Sequence, residues 1–494
     1  MAGVPVTRIR ALNARAIAPE RAFVLYWMTS ARRATANFAL DRAVEHARTL
    51  RRPLVVFEPL RSGYPWASDR LHTFVIEGMA DNAAAFASQP VTYVPYLEPK
   101  AGAGRGLLRA LAADACVVVA DDSPAFFLPR MLEAAAAQVD VALEAVDGNG
   151  LIPLRATDHA YPTAYAFRRF VHPWLARHGA PLPSRDPFGS VRLPALSSIP
   201  KEITARWPAA TALDDPAAIV ARLPIDHTVA AAPIRGGHGA AARALHAFLD
   251  RGMDAYDRDR NDPDAAGASG FSPYLHFGHL GTHEVVHEMI AHDLWTPAMI
   301  ETAARGSRAG WGGGAAGAFL DQLVTWREVG YNMCAHEPAY AEFDSLPEWA
   351  RRTLDEHASD PREFRYTLDE FATSATHDPL WNAAQRELRT TGAMHNYLRM
   401  LWGKKILEWT RSPREALAVM LELNNRYALD GRDPNSYSGI FWTLGRYDRA
   451  WGPERPVFGK IRYMSSANTK RKLNVKRYLE RFGGADDGAP LSLG

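Results

Sequence analysis

The feature that most constrains this chain is a change in apolar periodicity part-way along its 494 residues. From residue 22 to about 150, short apolar runs (AFVLYWM, PLVVFEPL, VTYVPY, ACVVVADD, VDVALEAV) alternate with longer Ala-rich stretches such as ATANFALDRAVEHARTL, LHTFVIEGMADNAAAFA and AFFLPRMLEAAAAQ. Short runs that are apolar throughout suit strands covered on both faces. Their alternation with helix-length segments predicts an α/β domain over 1–150, built on a largely parallel, Rossmann-like sheet. No GxGxxG follows the first run, so the usual dinucleotide fingerprint is missing. Past residue 240 the apolar spacing becomes three and four in AARALHAFLDRGMDAY, AGAFLDQLVTWREVGYNM, DPLWNAAQRELRTTG, NYLRMLWGKKILEWT and SPREALAVMLELNNRYAL. That pattern predicts an all-α C-terminal domain over 240–494. Between the two, residues 151–239 are rich in Pro, Arg and short apolar pieces, as in a connection that wraps a surface.

Composition narrows the function classes. With 47% apolar and 23% charged residues the chain is ordinary for a globular protein, and it is long enough to bury more than one core. Cys116 and Cys334 stand alone without a CxxC partner, which argues against a disulfide framework or cysteine zinc site and for a reducing compartment. The first residues lack the apolar core of a secretory signal, and no later run approaches a membrane span, so a cytoplasmic protein without membrane contact is expected. A net charge of +2 gives little long-range attraction to nucleic acid. Any such affinity must be local, and Arg455–Arg481 offers nine Lys and Arg against Glu480 within it and Glu454 just before it. Taken alone, that run reads as a solvated helix face.

One short motif misleads. His283-Glu284-Val285-Val286-His287 is a literal HExxH, which on a helix would present two imidazoles to zinc beside a glutamate base. The offset of His292 does not match the histidine extension of metzincins, and the histidines read as core or surface residues. RGGHG and GWGGG lack the Lys-Ser/Thr ending of a phosphate loop.

The helical half carries the informative pattern. Three of thirteen tryptophans, Trp381, Trp402 and Trp409, fall in successive helical segments, the last two nearly stacked on one face. By spacing alone these are packing residues. The blocks FSPYLHFGHLG (271–281), FLDQLVTWRE (319–328), LWNAAQRELRTTGAMHNYLRMLWGKKILEW (380–409), LDGRDPNSYSG (429–439) and RPVFGKIRYM (455–464), with YWMTSARRATANFALDRA near the start, resemble class II DNA photolyases of the cryptochrome/photolyase family. The likeness runs from about residue 22 to 482.

This resemblance implies an α/β antenna domain followed by a helical domain that holds FAD and repairs cyclobutane pyrimidine dimers in DNA. Light drives an electron from reduced FAD to a flipped-out dimer, and the electron returns after the ring splits. Tyr256 with Ala268, Ser269, Gly270, Phe271 and Ser272 would bind the cofactor's phosphates, with Ser272-Pro273 also readable as a helix cap and first position. Gln322, Arg327, Asn396, Arg399, Asn424 and Asp430 would meet the rest of FAD, Arg399 and Asp430 as a pair and Asn424 near the ring nitrogen N5. Trp381, Trp402 and Trp409 would relay electrons to the flavin, Trp409 nearest solvent. Trp326 and Trp442 would wall the lesion pocket, and Trp451 and Arg462 would fill the gap left in the duplex. An 8-hydroxy-5-deazaflavin antenna is common in such proteins, and a monomer is expected. Two positions depart from the class II pattern. Gln322 stands where a glutamate is usual; an amide donates a hydrogen bond but cannot share a proton. Asn396 replaces a glycine. The glutamine resembles (6-4) photolyases and light-sensing relatives, so (6-4) repair and a cryptochrome-like photoreceptor are the alternatives; the short tail ADDGAPLSLG speaks against a signalling extension.

Overall fold

The computed structural model describes residues 3–484 except 190 and 266, so the tail ADDGAPLSLG lies outside the described residues. The chain forms two compact units. The first comprises Met1–Asp158, His178–His246 and Phe271–Thr296; the second comprises His159–Arg177, Ala247–Gly270 and Pro297–Gly494. The segment expected to connect domains is thus divided. Its helix Ala164–His178 begins in the second unit, and most of the remainder belongs to the first. That helix is an addition to the expected loop, and it includes Pro173.

In the first unit, β1 (Ile9–Ala11), β2 (Phe23–Trp27), β3 (Leu54–Leu60), β4 (Val91–Leu97), β5 (Ala115–Asp121) and β6 (Leu143–Val146) form a six-stranded sheet in the order β1-β6-β5-β2-β3-β4. All pairings are parallel except β1 with β6, where Ile9 faces Val146. The order reverses at β2, as in doubly wound α/β folds, and the predicted strands appear. Alternation along β2 explains why it is apolar throughout. Phe23, Leu25 and Trp27 enter one buried cluster while Val24 and Tyr26 enter another, so both faces are covered. The three-residue β1 was not anticipated, because so short a run shows no period.

Helix Phe38–Leu50 begins at Asn37, whose side chain accepts from the amides of Ala39 and Leu40 and whose Nδ2 donates to Tyr26 Oη at 2.9 Å. Asp121 accepts from Tyr26 Oη at 2.7 Å and from the amides of Thr29, Ser30 and Ala31. The carboxylate thereby fixes the turn after β2. Helix Ser272–Phe277 corrects one expectation: Phe271 is the cap, Ser272 is already helical, and no side chain caps the end. It stops at Gly278, at φ +71°, where an added Cβ would lie 1.8 Å from the carbonyl oxygen of Ser30. Among the described residues no helix is long and apolar enough to cross a membrane.

The second unit is helical, as expected. Helices Pro379–Thr391, Pro413–Tyr427 and Pro434–Thr443 each start with an acceptor cap followed by proline: Asp378, Ser412 and Asp433. Helix Asn396–Trp409 follows the first of these after Gly392, at φ +75°. Their apolar faces share a core that includes Leu380, Leu398, Ile406, Met420, Leu423 and Phe441. Replacing Gly278 with alanine should cost about 3 kcal/mol or more, because both the backbone angle and the contact with Ser30 oppose a side chain. Urea unfolding of Gly278→Ala beside the parent measures it, and an unchanged midpoint would contradict the packing described.

Candidate functional site

The predicted tryptophans meet inside the second unit. Trp381 and Trp402 lie with centroids 6.5 Å apart and planes 4° from parallel, and Trp381 meets Trp409 edge-on at 5.9 Å. Trp381 therefore stands between the other two. The expectation that Trp402 and Trp409 nearly stack is corrected: seven residues advance a helix by about 10.5 Å, which leaves space that Trp381 fills from the neighbouring helix. Nor does Trp409 itself reach solvent. It is 2% exposed, the same as Trp402, and Tyr366 and His377 cover it at 5.6 and 5.0 Å. Each inner indole is held by a hydrogen bond: Trp381 Nε1 donates to the carbonyl of Trp402 at 3.1 Å, and Trp402 Nε1 donates to Gln385 Oε1 at 2.8 Å.

One turn before Trp402 on the same helix, Arg399 makes a two-pronged ion pair with Asp430, at 3.1 and 3.2 Å. Asn396, three residues earlier, is exposed at the helix start. Asp430 follows helix Pro413–Tyr427, which carries Asn424. That amide is 2% exposed and donates to Ser436 Oγ at 2.7 Å. Gly431 packs on this helix so closely that a Cβ would lie 2.7 Å from the Asn424 carbonyl oxygen. Arg399, Asn424 and Asp430 are thus brought onto one frame with the tryptophans.

A second arm reaches the same frame. Asp321–Trp326 is a π-helical turn, a geometry frequent at functional sites, and it carries Gln322 and Trp326, both half-buried. Arg168 anchors it through buried bonds to Asp321 at 2.6 and 2.9 Å. Arg327, the next residue, donates to Tyr331 Oη at 2.8 Å, and that hydroxyl donates to Asp433 Oδ2 at 2.9 Å. Asp433 caps the helix that bears Ser436. Tyr256 packs edge-on against Phe319, three residues before Gln322, at 5.3 Å, and burial pushes its phenol up to about 12. Of the expected phosphate-binding run, Ala268, Ser269 and Gly270 belong to the second unit, whereas Phe271 and Ser272 belong to the first.

Trp442, Trp451 and Arg462 gather around Asp448. Its carboxylate accepts from Arg462 Nε at 2.9 Å and from Trp451 Nε1 at 3.1 Å, and the Arg462 guanidinium lies 4.2 Å from the Trp451 ring and 5.5 Å from Trp442. Lys470, Arg471, Lys472, Lys476 and Arg477 are exposed on the two short helices that follow. Sequence reasoning missed Gln385, Ser436, Asp433, Asp448 and Lys404, all polar groups whose role depends on a distant partner. Lys404 lies one turn before Glu408 in a KK pair that spacing does not distinguish from a surface face. It is fully buried, donates to the Thr443 carbonyl at 2.6 Å and lies 5.1 Å from the Trp442 ring. In the first unit, Glu284 of HEVVH pairs with His238 at 2.7 Å and His283 meets Phe38 edge-on at 5.0 Å. Among the described residues no group of three or more His, Cys, Asp or Glu could hold a metal.

No family model matches the sequence. The chain is 34% identical over 481 residues to a deoxyribodipyrimidine photo-lyase of Methanothermobacter thermautotrophicus, covering 97% of this chain and 99% of the relative. The chain belongs to the deoxyribodipyrimidine photo-lyase family. A photo-lyase of Oryza sativa subsp. japonica is 34% identical over 474 residues, covering 92% of this chain and 86% of that one. Among solved structures, the chain is similar to a class III photolyase from Agrobacterium tumefaciens (TM-score 0.67, 17% identity, 94% and 86% covered) and a cryptochrome from Synechocystis (TM-score 0.66, 15% identity, 93% and 88% covered). The fold is therefore that of photolyases and cryptochromes. Family membership makes the chain an enzyme of the photo-lyase type, with light-driven DNA repair as the class of activity and FAD as the family's cofactor.

Burial lowers the Lys404 ammonium to about 7, against the opposing pull of Asp448. Between that value and its unfolded value near 10.4, the unfolded chain binds the extra proton, so the contribution of Lys404 to stability rises with pH. Relative to Lys404→Met, the parent should gain up to about 1.4 kcal/mol per pH unit across this window. Urea unfolding at pH 7 and pH 9 checks the sign; a pH-independent difference would contradict it.

Proposed function

We propose that this chain is a class II photolyase that repairs cyclobutane pyrimidine dimers in DNA, using FAD held in the helical unit. The observation that carries the reading is the unbroken series of rings from Trp402 through Trp381 to Trp409, starting one helical turn from the Arg399–Asp430 pair.

The residues present suit a flavin. Arg399 with Asp430 offers a half-buried donor next to a buried acceptor, Asn424 offers a buried amide on the preceding helix, and Gly270 stands at φ +70° with open space around it, where backbone donors can approach an anion. Bound FAD would absorb the light and supply the electron that splits the dimer, to be recovered afterwards. The side chains bind, orient and insulate. Arg399 and Asp430 would hold the flavin's polar edge, Asn424 would answer changes at N5, and Tyr256, Ala268 and Ser269 would lie along the phosphates. Trp326 and Trp442 would take the flipped dimer between aromatic faces, with Gln322 donating to its carbonyl. Trp451 and Arg462 would occupy the space the lesion vacates, and the exposed basic tract would grip the phosphates. Asp448 keeps Arg462 and Trp451 pre-set, which lowers the cost of ordering them on DNA.

Gln322 gives the alternative of (6-4) repair or light sensing its footing. Illuminated, chemically reduced protein assayed on defined cyclobutane and (6-4) substrates separates these readings: cyclobutane repair is expected, and Gln322→Glu should raise its quantum yield. Repair of the (6-4) substrate alone, or of neither, would overturn the proposal. In a second test, Trp381→Phe should slow photoreduction at least about tenfold, the effect of a barrier raised by about 1.4 kcal/mol. Repair by chemically reduced protein should change less. Equal photoreduction in the variant would contradict the relay.

A further inference from the structure

Packing alone does not account for Lys404. Its side chain is fully buried, yet among the described residues the ammonium makes no ion pair. A methionine of similar length would fill the space without the cost of burying a charge. What the ammonium does is specific. It donates to the carbonyl of Thr443, the last residue of helix Pro434–Thr443, at 2.6 Å, and lies 5.1 Å from the ring of Trp442. The other carbonyls of that last turn are taken: Ile440 by the Thr443 hydroxyl, Phe441 by the amides of Leu444 and Arg446, and Trp442 by the amide of Gly445. Lys404 therefore closes the helix end, where a cation also meets the negative pole of the helix. Gly403 keeps the two helices close, since a Cβ there would lie 2.7 Å from Thr443 Cγ2. Asp448 and Arg462 are the charged groups that act on the ammonium, the first attracting and the second repelling it, and they are already bonded to each other at 2.9 Å.

We propose that Lys404 is a positioning residue for lesion binding: it clamps the helix end that presents Trp442 and holds behind that ring a positive charge which the phosphates of the bound lesion strand offset. This rests on the reading of Trp442 as a wall of the lesion pocket. The face of an indole carries partial negative charge, so a cation behind the ring fixes its tilt as well as its place. Undamaged DNA, whose bases stay stacked, does not enter between Trp326 and Trp442 and leaves the charge without a partner. In the free protein burial lowers the ammonium to about 7, and nearby phosphates favour the charged form. The lysine in the complex therefore holds its proton to higher pH than in the free protein. Between the two values the complex binds the extra proton, so dimer affinity is full below about 7 and falls as pH rises through that window.

Binding measured in the dark tests this without any electron transfer. The flavin-loaded protein is titrated at pH 7 and pH 9 with a duplex carrying one cyclobutane dimer and with the same duplex undamaged. The parent should lose about tenfold in dimer affinity between the two pH values, and most of that loss should be absent with undamaged DNA. Lys404→Met should bind the dimer about tenfold more weakly than the parent at pH 7 and should lack the parent's extra loss at pH 9. A purely structural lysine would weaken binding without changing its pH dependence, so equal pH slopes in the parent and Lys404→Met would overturn the proposal. A measurement on the parent alone decides the matter even where the variant does not fold. Calorimetric titration at pH 8 in two buffers of different ionisation enthalpy should show more proton uptake with dimer DNA than with undamaged DNA, and equal uptake would overturn the proposal. Trp442→Ala separates this from the reading beneath it. Dimer affinity unchanged in Trp442→Ala would remove the pocket wall and the lysine's role together; affinity lost in Trp442→Ala but kept in Lys404→Met would remove the lysine's role alone.

Discussion

The helical unit depends on a reciprocal exchange between two helices. Trp381 reaches from one helix to a carbonyl of the next, and Trp402 reaches back to Gln385. Each buried indole N–H is thereby satisfied across the gap, and two large rings are locked in parallel, with Gln385 Nε2 left buried beside them without a hydrogen bond. The same contacts that hold the helices together set the spacing of a series of oxidisable rings. Packing asks for rings that do not move, and the proposed relay would ask for the same.

Around this seam, buried charge is handled by pairing. Arg168 meets Asp321 under the π-helical turn, Arg399 meets Asp430, and Arg327 reaches Asp433 through Tyr331. Removing one partner of a buried pair such as Arg168–Asp321 costs about 3–5 kcal/mol, because the other is stranded away from water. These pairs restrict where each segment can sit. The Arg327–Tyr331–Asp433 chain ties the segment after Gln322 and Trp326 to the helix that presents Ser436, and Ser436 in turn holds Asn424. Residues more than a hundred positions apart are thus linked by polar bonds rather than apolar contact alone. Gln322 itself is carried on this irregular turn.

Much of this was legible in sequence, for physical reasons. Strands covered on both faces must be apolar throughout, so β2, β3 and β5 announced themselves, and helices with a buried stripe repeat at three and four. Asp378, Ser412 and Asp433 before prolines mark helix starts by the same local logic. The family resemblance lay in contiguous blocks, and from it came the tryptophans, Arg399, Asp430 and Asn424. What local pattern cannot carry is the identity of a distant partner. Lys404 looks like a surface lysine until Thr443 and Trp442 close over it, and HEVVH looks like a zinc helix until His238 takes its glutamate.

The sequence by itself determined the two classes of architecture, the positions of most elements and the residues able to do redox chemistry, because periodicity, caps and side-chain type act over a few neighbouring positions. Only the tertiary structure decided that Trp381 lies between Trp402 and Trp409, that Trp409 is covered by Tyr366 and His377, and that the chain's middle is shared between the units. Those facts depend on which helix faces which. That is decided by the joint packing of buried volume and paired charge, which no single stretch of sequence contains.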